Sequence, residues 1–210
     1  VYTDGSAQHR DGEDRAGWGW ASTTNTDPIG KWDNNECSAA TPSENTVTCW
    51  GRLQGRETND LAEAAALLYA LRGHHPRQPL SVHIDNGGVI DRWRWDELDD
   101  TRQRMQSEGR AIWTRIKALK AVREARGTET MIKWVHSHVD DITRRTLSQH
   151  TKRSCACGAA PGEECDHTHR AHLGNALADG AADKGAGEEP RDAVEERFYF
   201  GEEDYVLERD

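Results

Sequence analysis

The sequence predicts an α/β domain built on a mixed five-stranded sheet with helices against it. Three observations lead there. Three strand-like segments come first, joined by short connections as antiparallel neighbours are. An Ala/Leu-rich helix follows, and beyond it strands and helices alternate, as parallel additions to a sheet require. A chain of 210 residues is a soft prior for one domain with additions, long enough to bury a real core.

Val1–Asp4 reads as the first strand, apolar and ending at an aspartate. Ala16–Ser22 reads as the second, with Gly17 and Gly19 where another backbone needs close approach. Asn45–Trp50 alternates small polar with apolar residues and reads as the third. Thr58 caps a helix running to about Arg72, which ends before Gly73-His74-His75-Pro76. Leu80–Ile84 is the fourth strand, and Asp85 and Asn86 open a short helix to about Arg92. Glu108–Arg126 forms a long amphipathic helix ending at Gly127; its apolar positions, Trp113 among them, recur at helical spacing and face the core. Glu129–Val135 is the fifth strand and Asn175–Lys184 the last helix.

Two strand-end aspartates, Asp4 and Asp85, and two helix carboxylates, Glu63 and Asp179, are what a cage for paired Mg²⁺ requires. Magnesium takes hard oxygen ligands, and a two-metal site clamps both the attacking and the leaving oxygen of a phosphodiester. Each carboxylate also has a bland alternative. Asp4 could start a turn, Asp85 could cap a helix, and Asp179 could sit solvated on its helix. Glu63 lies five residues after Thr58, not three, so a capping box explains it poorly. Four clustered carboxylates would repel one another, so without metal at least one should titrate high.

The order is strand-Asp4-Gly5-Ser6, helix-Glu63, strand-Asp85, Trp134-Val135-His136-Ser137-His138 and Asn175-Ala176-Leu177-Ala178-Asp179. It resembles the type 1 ribonuclease H family, which includes the domains fused to reverse transcriptases. The match runs from Val1 to about Gly187. It implies a ribonuclease H-like fold and a metal-dependent endonuclease that cuts the RNA strand of RNA–DNA hybrids. By that resemblance Asp4 bridges two Mg²⁺ ions, for which Mn²⁺ could substitute, Glu63 and Asp85 complete one coordination sphere, and Asp179 completes the other. One ion activates water for in-line attack and the other stabilises the leaving 3′ oxygen, giving 5′-phosphate and 3′-hydroxyl ends. His138 takes the place of the family's mobile-loop histidine, which assists proton transfer or product release; His136 is its rival, and both could instead join a zinc site.

The 2′-hydroxyl marks the strand to be cut, and minor-groove shape sets a hybrid apart from duplex RNA. Gly5, Ser6, Thr58, Asn59 and Asn86 match positions where the family touches substrate. Asp60 departs from the family's amide, Asn86-Gly87 replaces a frequent Ser-Gln, and Ala7 and Arg10 replace a frequent Cys and Asn. These departures bear on the hybrid grip, not on the cutting chemistry. No base specificity is expected from backbone contacts.

The net charge of −10 is unevenly placed. Residues 188–210 form an acidic tail with ten acids against three arginines, a balance of −7, which leaves −3 for residues 1–187. Residues 101–126 carry eight bases against two acids, Arg115, Lys117 and Lys120 among them. A basic helical patch is an electrostatic footprint for phosphates, though a solvated helix face would read the same.

Two stretches within residues 1–187 exceed what the family needs. One, at about 23–42, reads as an elongated hairpin or a loop without fixed structure. The other, at about 139–173, holds Cys155, Cys157, Cys165, His167 and His169, with His172 nearby. Cys and His at that density can supply four ligands to tetrahedral Zn²⁺, although the spacing is not that of a common finger. Reduced thiols in a mobile loop, or a disulfide, are the alternatives. Cys37 and Cys49 read as free thiols.

The longest apolar run, Leu61–Leu71, is broken by Glu63 and far too short to span a bilayer. With no secretory signal, the expected setting is intracellular, cytoplasmic or nuclear, and the isolated domain is expected to be a monomer. The chain opens in a strand without a Met, which suits a segment of a retroelement polyprotein with a fused reverse transcriptase; a fragment trimmed for expression would look the same. Other classes stay open. They are an inactive ribonuclease H-like scaffold, a proofreading exonuclease (which wants Asp-x-Glu where this chain has Asp4-Gly5-Ser6), and a zinc-dependent nucleic-acid-binding module.

Overall fold

The computed structural model describes residues 1–10, 12–24, 26–32, 40–53, 58–94, 109–138, 153–166 and 168–187. The strands are β1 (Tyr2–Arg10), β2 (Glu13–Ser22), β3 (Gly30–Trp32), β4 (Ala40–Pro42), β5 (Val47–Arg52), β6 (Leu80–Ile84) and β7 (Thr130–Trp134). The helices are α1 (Asn59–Arg72), α2 (Gly87–Arg94), α3 (Arg110–Ala125) and α4 (Arg170–Gly187). The five-stranded sheet has the order β5-β2-β1-β6-β7. β1 pairs antiparallel with β2, and β2 with β5, whereas β6 runs parallel to β1 and β7 parallel to β6. The expected mixed sheet, antiparallel first and parallel after, is the sheet observed.

The first strand is longer than its apolar residues suggest. Beyond Asp4 it continues to Arg10, pairing with β2 out to Arg10↔Glu13, and Gly12, at φ +81°, takes part in the turn. Cross-strand pairing rather than burial extends this half, so polar residues from Ser6 onward did not announce a strand. Asp4 is therefore mid-strand in β1. Its parallel pairing with β6 nonetheless stops at Thr3↔Ile84, and Asp85 leaves the sheet beside it.

The alternation of β2 places layers on both faces. Trp18 and Trp20 pack with Ala65, Ala66 and Ala70 of α1, and Trp18 stacks on Tyr69 with ring centroids 4.0 Å apart. Gly17 and Gly19 face the other way, against α4. A Cβ at Gly17 would lie 2.1 Å from Ala186 N, and one at Gly19 2.4 Å from Ala182 N. Only glycines let this helix rest directly on the strand, as their positions in the sequence led us to expect. A larger core joins Leu67, Leu71, Val82, Ile84, Ile90 and Ile116, uniting α1, β6, α2 and α3, with half-buried Trp113 packed against it.

Helix boundaries follow the capping chemistry. The Thr58 hydroxyl accepts from the Leu61 N–H at the start of α1 (3.4 Å), as expected. α4 begins at Arg170, more than a turn before the expected Asn175, because packing of its small residues outweighs the weak helix preference of Gly174. In the first of the two extra stretches β3 and β4 pair antiparallel, Gly30↔Pro42 to Trp32↔Ala40. Cys37, residues 101–108, residues 139–152 and the acidic stretch 188–210 lie outside the described residues. Among those described, no helix is long and apolar enough to cross a membrane.

One basic residue of α3 is not part of any surface patch. Arg123 is 0% exposed. Its guanidinium donates to the Thr130 hydroxyl (2.7 Å), to the His75 carbonyl (3.2 Å) and to the carbonyls of His74 and Gln78. It thus ties α3 to the loop ahead of β6. Arg123→Met should remove these hydrogen bonds and cost about 2–4 kcal/mol in urea unfolding, whereas Arg115→Met on the exposed face should stay within about 0.5 kcal/mol. Equal midpoints for the two variants would contradict this assignment.

Candidate active site

Three elements bring the carboxylates together. β1 supplies Asp4, the end of β6 supplies Asp85, and α1 supplies Glu63. The approach of α1 to β1 depends on Gly5, where a Cβ would lie 2.3 Å from Glu63 N. Oxygens of Asp4, Glu63 and Asp85 lie within 4.8 Å of one another. Asp4 and Glu63 are only 5% and 3% exposed, and Asp85 is half-buried.

Hydrogen bonds fix this arrangement. The Gly5 N–H donates to Asp4 Oδ1 (2.7 Å), and the Asn175 amide donates to Asp85 Oδ2 (3.2 Å). The Trp134 indole donates to the Asp85 carbonyl (2.9 Å), pinning the end of β6. Asn175, in the motif one turn ahead of Asp179, was not singled out from the sequence as a site residue. Its position on the same helical face as Asp179 was the available signal.

Burial drives the carboxyls of Asp4 and Glu63 well above the usual carboxylate range. The neighbouring Asp85 charge adds to this on both, and Asp179 raises both as well. Burial also raises Asp85, against which the Asn175 hydrogen bond and the nearby His138 and His136 act. Asp179, half-buried on α4, acts on the group from outside the tight set of three. Glu63 Oε2 is buried without a hydrogen-bond partner. An orphaned oxygen in an all-oxygen, repelling donor set is what a divalent hard cation would relieve.

The other residues singled out from sequence divide. Asn59 is exposed at the open end of α1, near Glu63. His138 is exposed, in the left-handed region at φ 48°. Ser6 instead donates to Asp183 on α4 (2.5 Å). The side-chain oxygen Oδ1 of Asn86 accepts from Gly88 N–H (2.8 Å) and Val89 N–H (3.2 Å), capping α2, so the helix-cap alternative first weighed for Asp85 belongs to its neighbour. Lys117 and Lys120 both donate to the Trp93 carbonyl (3.0 and 3.3 Å), which closes the last turn of α2. Arg115 is exposed.

A second cluster joins Cys155, Cys157, Cys165 and His172, also within 4.8 Å. Its histidine is not one of the two expected. His169 turns Nδ1 to the Ala171 N–H (3.0 Å) at the start of α4, and His167 lies outside the described residues. Burial holds the His172 ring near a pKa of about 4 and pushes the Cys155 and Cys165 thiols up. All four described cysteines, Cys49 included, are free of disulfides.

No protein-family model and no curated protein sequence matches the chain. Among solved structures, the protease–reverse transcriptase of prototype foamy virus is similar over 90% of this chain, at 18% identity and a TM-score of 0.55. This chain spans 21% of that protein's length. The fold is ribonuclease H-like. Ribonuclease H1 of Halobacterium salinarum NRC-1 aligns with 67% of this chain and 86% of its own, at 20% identity and a TM-score of 0.41. The N-terminal ribonuclease H domain of a Mycobacterium tuberculosis protein, solved as a fusion with maltose binding protein, aligns with 88% and 97%, at 16% identity and a TM-score of 0.35.

The raised carboxyls of this ribonuclease H fold have a consequence for stability. A carboxyl whose folded pKa lies above its unfolded value favours the fold while protonated, and that contribution fades as pH rises through the folded value. In a chelator, the metal-free protein should therefore lose thermal stability as the pH rises above the ordinary carboxylate range. Asp4→Asn should shrink that loss, and Mg²⁺ should reverse it with release of protons, read by calorimetry in two buffers of different ionisation enthalpy. A pH dependence unchanged by Asp4→Asn would contradict the assignment.

Proposed function

We propose that this chain hydrolyses the RNA strand of RNA–DNA hybrids as a metal-dependent endoribonuclease, leaving 5′-phosphate and 3′-hydroxyl ends. The observation that carries the reading is the convergence of Asp4, Glu63 and Asp85 at the β1–β6 seam, with an orphaned oxygen on Glu63. Asp4, Glu63 and Asp85 would hold the metal, with Asp179 as a further ligand. Two Mg²⁺ ions, or Mn²⁺ in their place, supply an activated water and charge stabilisation of the leaving oxygen when bound.

The chain's own residues do the rest. Gly5 N–H orients one oxygen of Asp4, and Asn175 orients Asp85. His138 stands exposed within the electrostatic reach of Asp85, and an imidazole suits the transfer of a proton near neutral pH. Thr58 and Asn59 open α1 close to Glu63, where a hybrid backbone would pass, and Arg115 offers a phosphate contact on α3. Residues 1–187 act as the nuclease domain, followed by the acidic tail. Fusion to a reverse transcriptase is supported by the likeness to the foamy virus protein, of which this chain spans 21%.

The test is incubation with labelled RNA–DNA hybrid, duplex RNA and duplex DNA in Mg²⁺. Cutting of the hybrid's RNA strand alone is expected, abolished by Asp85→Asn. Asn175→Ala should slow it about 10–100-fold, as loss of a ligand-orienting hydrogen bond does. Binding of the hybrid with no cutting by the unmodified chain would overturn the proposal in favour of a scaffold.

A further inference from the structure

The Cys/His cluster lies outside the carboxylate site and takes no part in the chemistry above. It draws on three pieces of chain. These are the turn at 155–159, the segment at 165, and the first turn of α4, where His172 sits buried. Residues 153–166 have no helix or strand of their own. Their order comes instead from specific contacts: Ala156 N–H to the Trp134 carbonyl (2.8 Å), Cys155 N–H to the Ala159 carbonyl (2.9 Å), and Arg153 to Asp91 (2.8 Å). Cys155, Ala156, Cys157, Ala159 and Cys165 also pack against a core with Val135, Leu173 and Leu177, which gathers the three sulfurs beside His172. A metal can staple such a segment without regular structure.

The geometry fits one ion. Zinc bonds of about 2.3 Å to sulfur and about 2.0–2.1 Å to nitrogen place tetrahedral ligands about 3.5–3.8 Å apart. Cys155 Sγ and His172 Nε2 are already 3.7 Å apart, and the whole set is within 4.8 Å. Contraction by about an ångström would complete a tetrahedron of three sulfurs and one nitrogen. The His136 N–H donates to Cys155 Sγ (3.4 Å), a bond of the kind that orients a ligating thiolate. His172 Nδ1 is buried, leaving Nε2 as the atom that faces the sulfurs.

We infer that Cys155, Cys157, Cys165 and His172 bind one Zn²⁺ as a closed Cys₃His structural centre. With four protein ligands there is no open position for substrate, so the ion's role is to staple. It joins residues 153–166 to the exit of β7, which carries His136 and His138, and to α4, which carries Asn175 and Asp179.

The full chain, purified without chelator, is assayed for zinc by inductively coupled plasma mass spectrometry. Its metal is then exchanged for Co²⁺ and the visible spectrum recorded. About one zinc per chain and the intense bands of tetrahedral thiolate-bound cobalt are expected. Cys165→Ser and His172→Ala should lose zinc, while His172→Cys, which keeps four tetrahedral donors, and Asp85→Asn should both retain it. A chain with less than about a tenth of an equivalent of zinc and no cobalt bands would overturn the inference. So would zinc that survives both Cys165→Ser and His172→Ala, or cysteines found paired in disulfides. Should those variants not fold, the cobalt spectrum of the unmodified chain decides alone.

Discussion

Asp4, Glu63 and Asp85 would separate if their backbones were free to move, because carboxylates with oxygens within 4.8 Å repel when ionised. At an effective dielectric of about 20 that repulsion is about 3 kcal/mol per pair, a large fraction of a domain's net stability. What holds them is packing at positions that cannot yield. α1 meets β1 at a glycine, the β1–β6 register stops one residue before both aspartates, and a tryptophan fixes the carbonyl of Asp85. The fold supplies the compression, and proton uptake or a cation relieves it.

α4 gathers most of what remains. Its small residues let it rest on Gly17 and Gly19, and that close seat fixes the height of every side chain it carries. From one helix come Asn175 on Asp85, Asp179 acting on Asp4 and Glu63, Asp183 on Ser6, and His172 beside Cys155. Near its first turn Arg170 donates to the carbonyls of Thr24 (2.6 Å) and Asp27, anchoring the segment that leads into β3. A shift of this helix would move the carboxylate site and the Cys/His cluster together.

Much of this was legible in the sequence, for identifiable reasons. The order of elements, the Thr58 cap and the glycines of β2 are local signals with local causes, and the carboxylates stood in motifs that fix their neighbours. Three features depended on tertiary geometry. The polar half of β1 is held by its partner strand, not by its own pattern. Arg123 counts as a surface charge in any tally of α3, yet the carbonyls of His74, His75 and Gln78 draw it inside. His172 replaced His169 in the cluster because α4 starts at Arg170, which puts His172 in the first turn while His169 turns to the helix's own N–H groups.

The claim at the centre is that the carboxylates at the β1–β6 seam form a divalent-metal site that works on a hybrid. It is tested most directly by titrating Mn²⁺ into the chain bound to an uncleavable RNA–DNA hybrid and counting bound ions by electron paramagnetic resonance. Two ions per chain, with loss of saturable binding in Asp4→Asn, is the expected result. No saturable binding, or binding indifferent to Asp4→Asn, would contradict it.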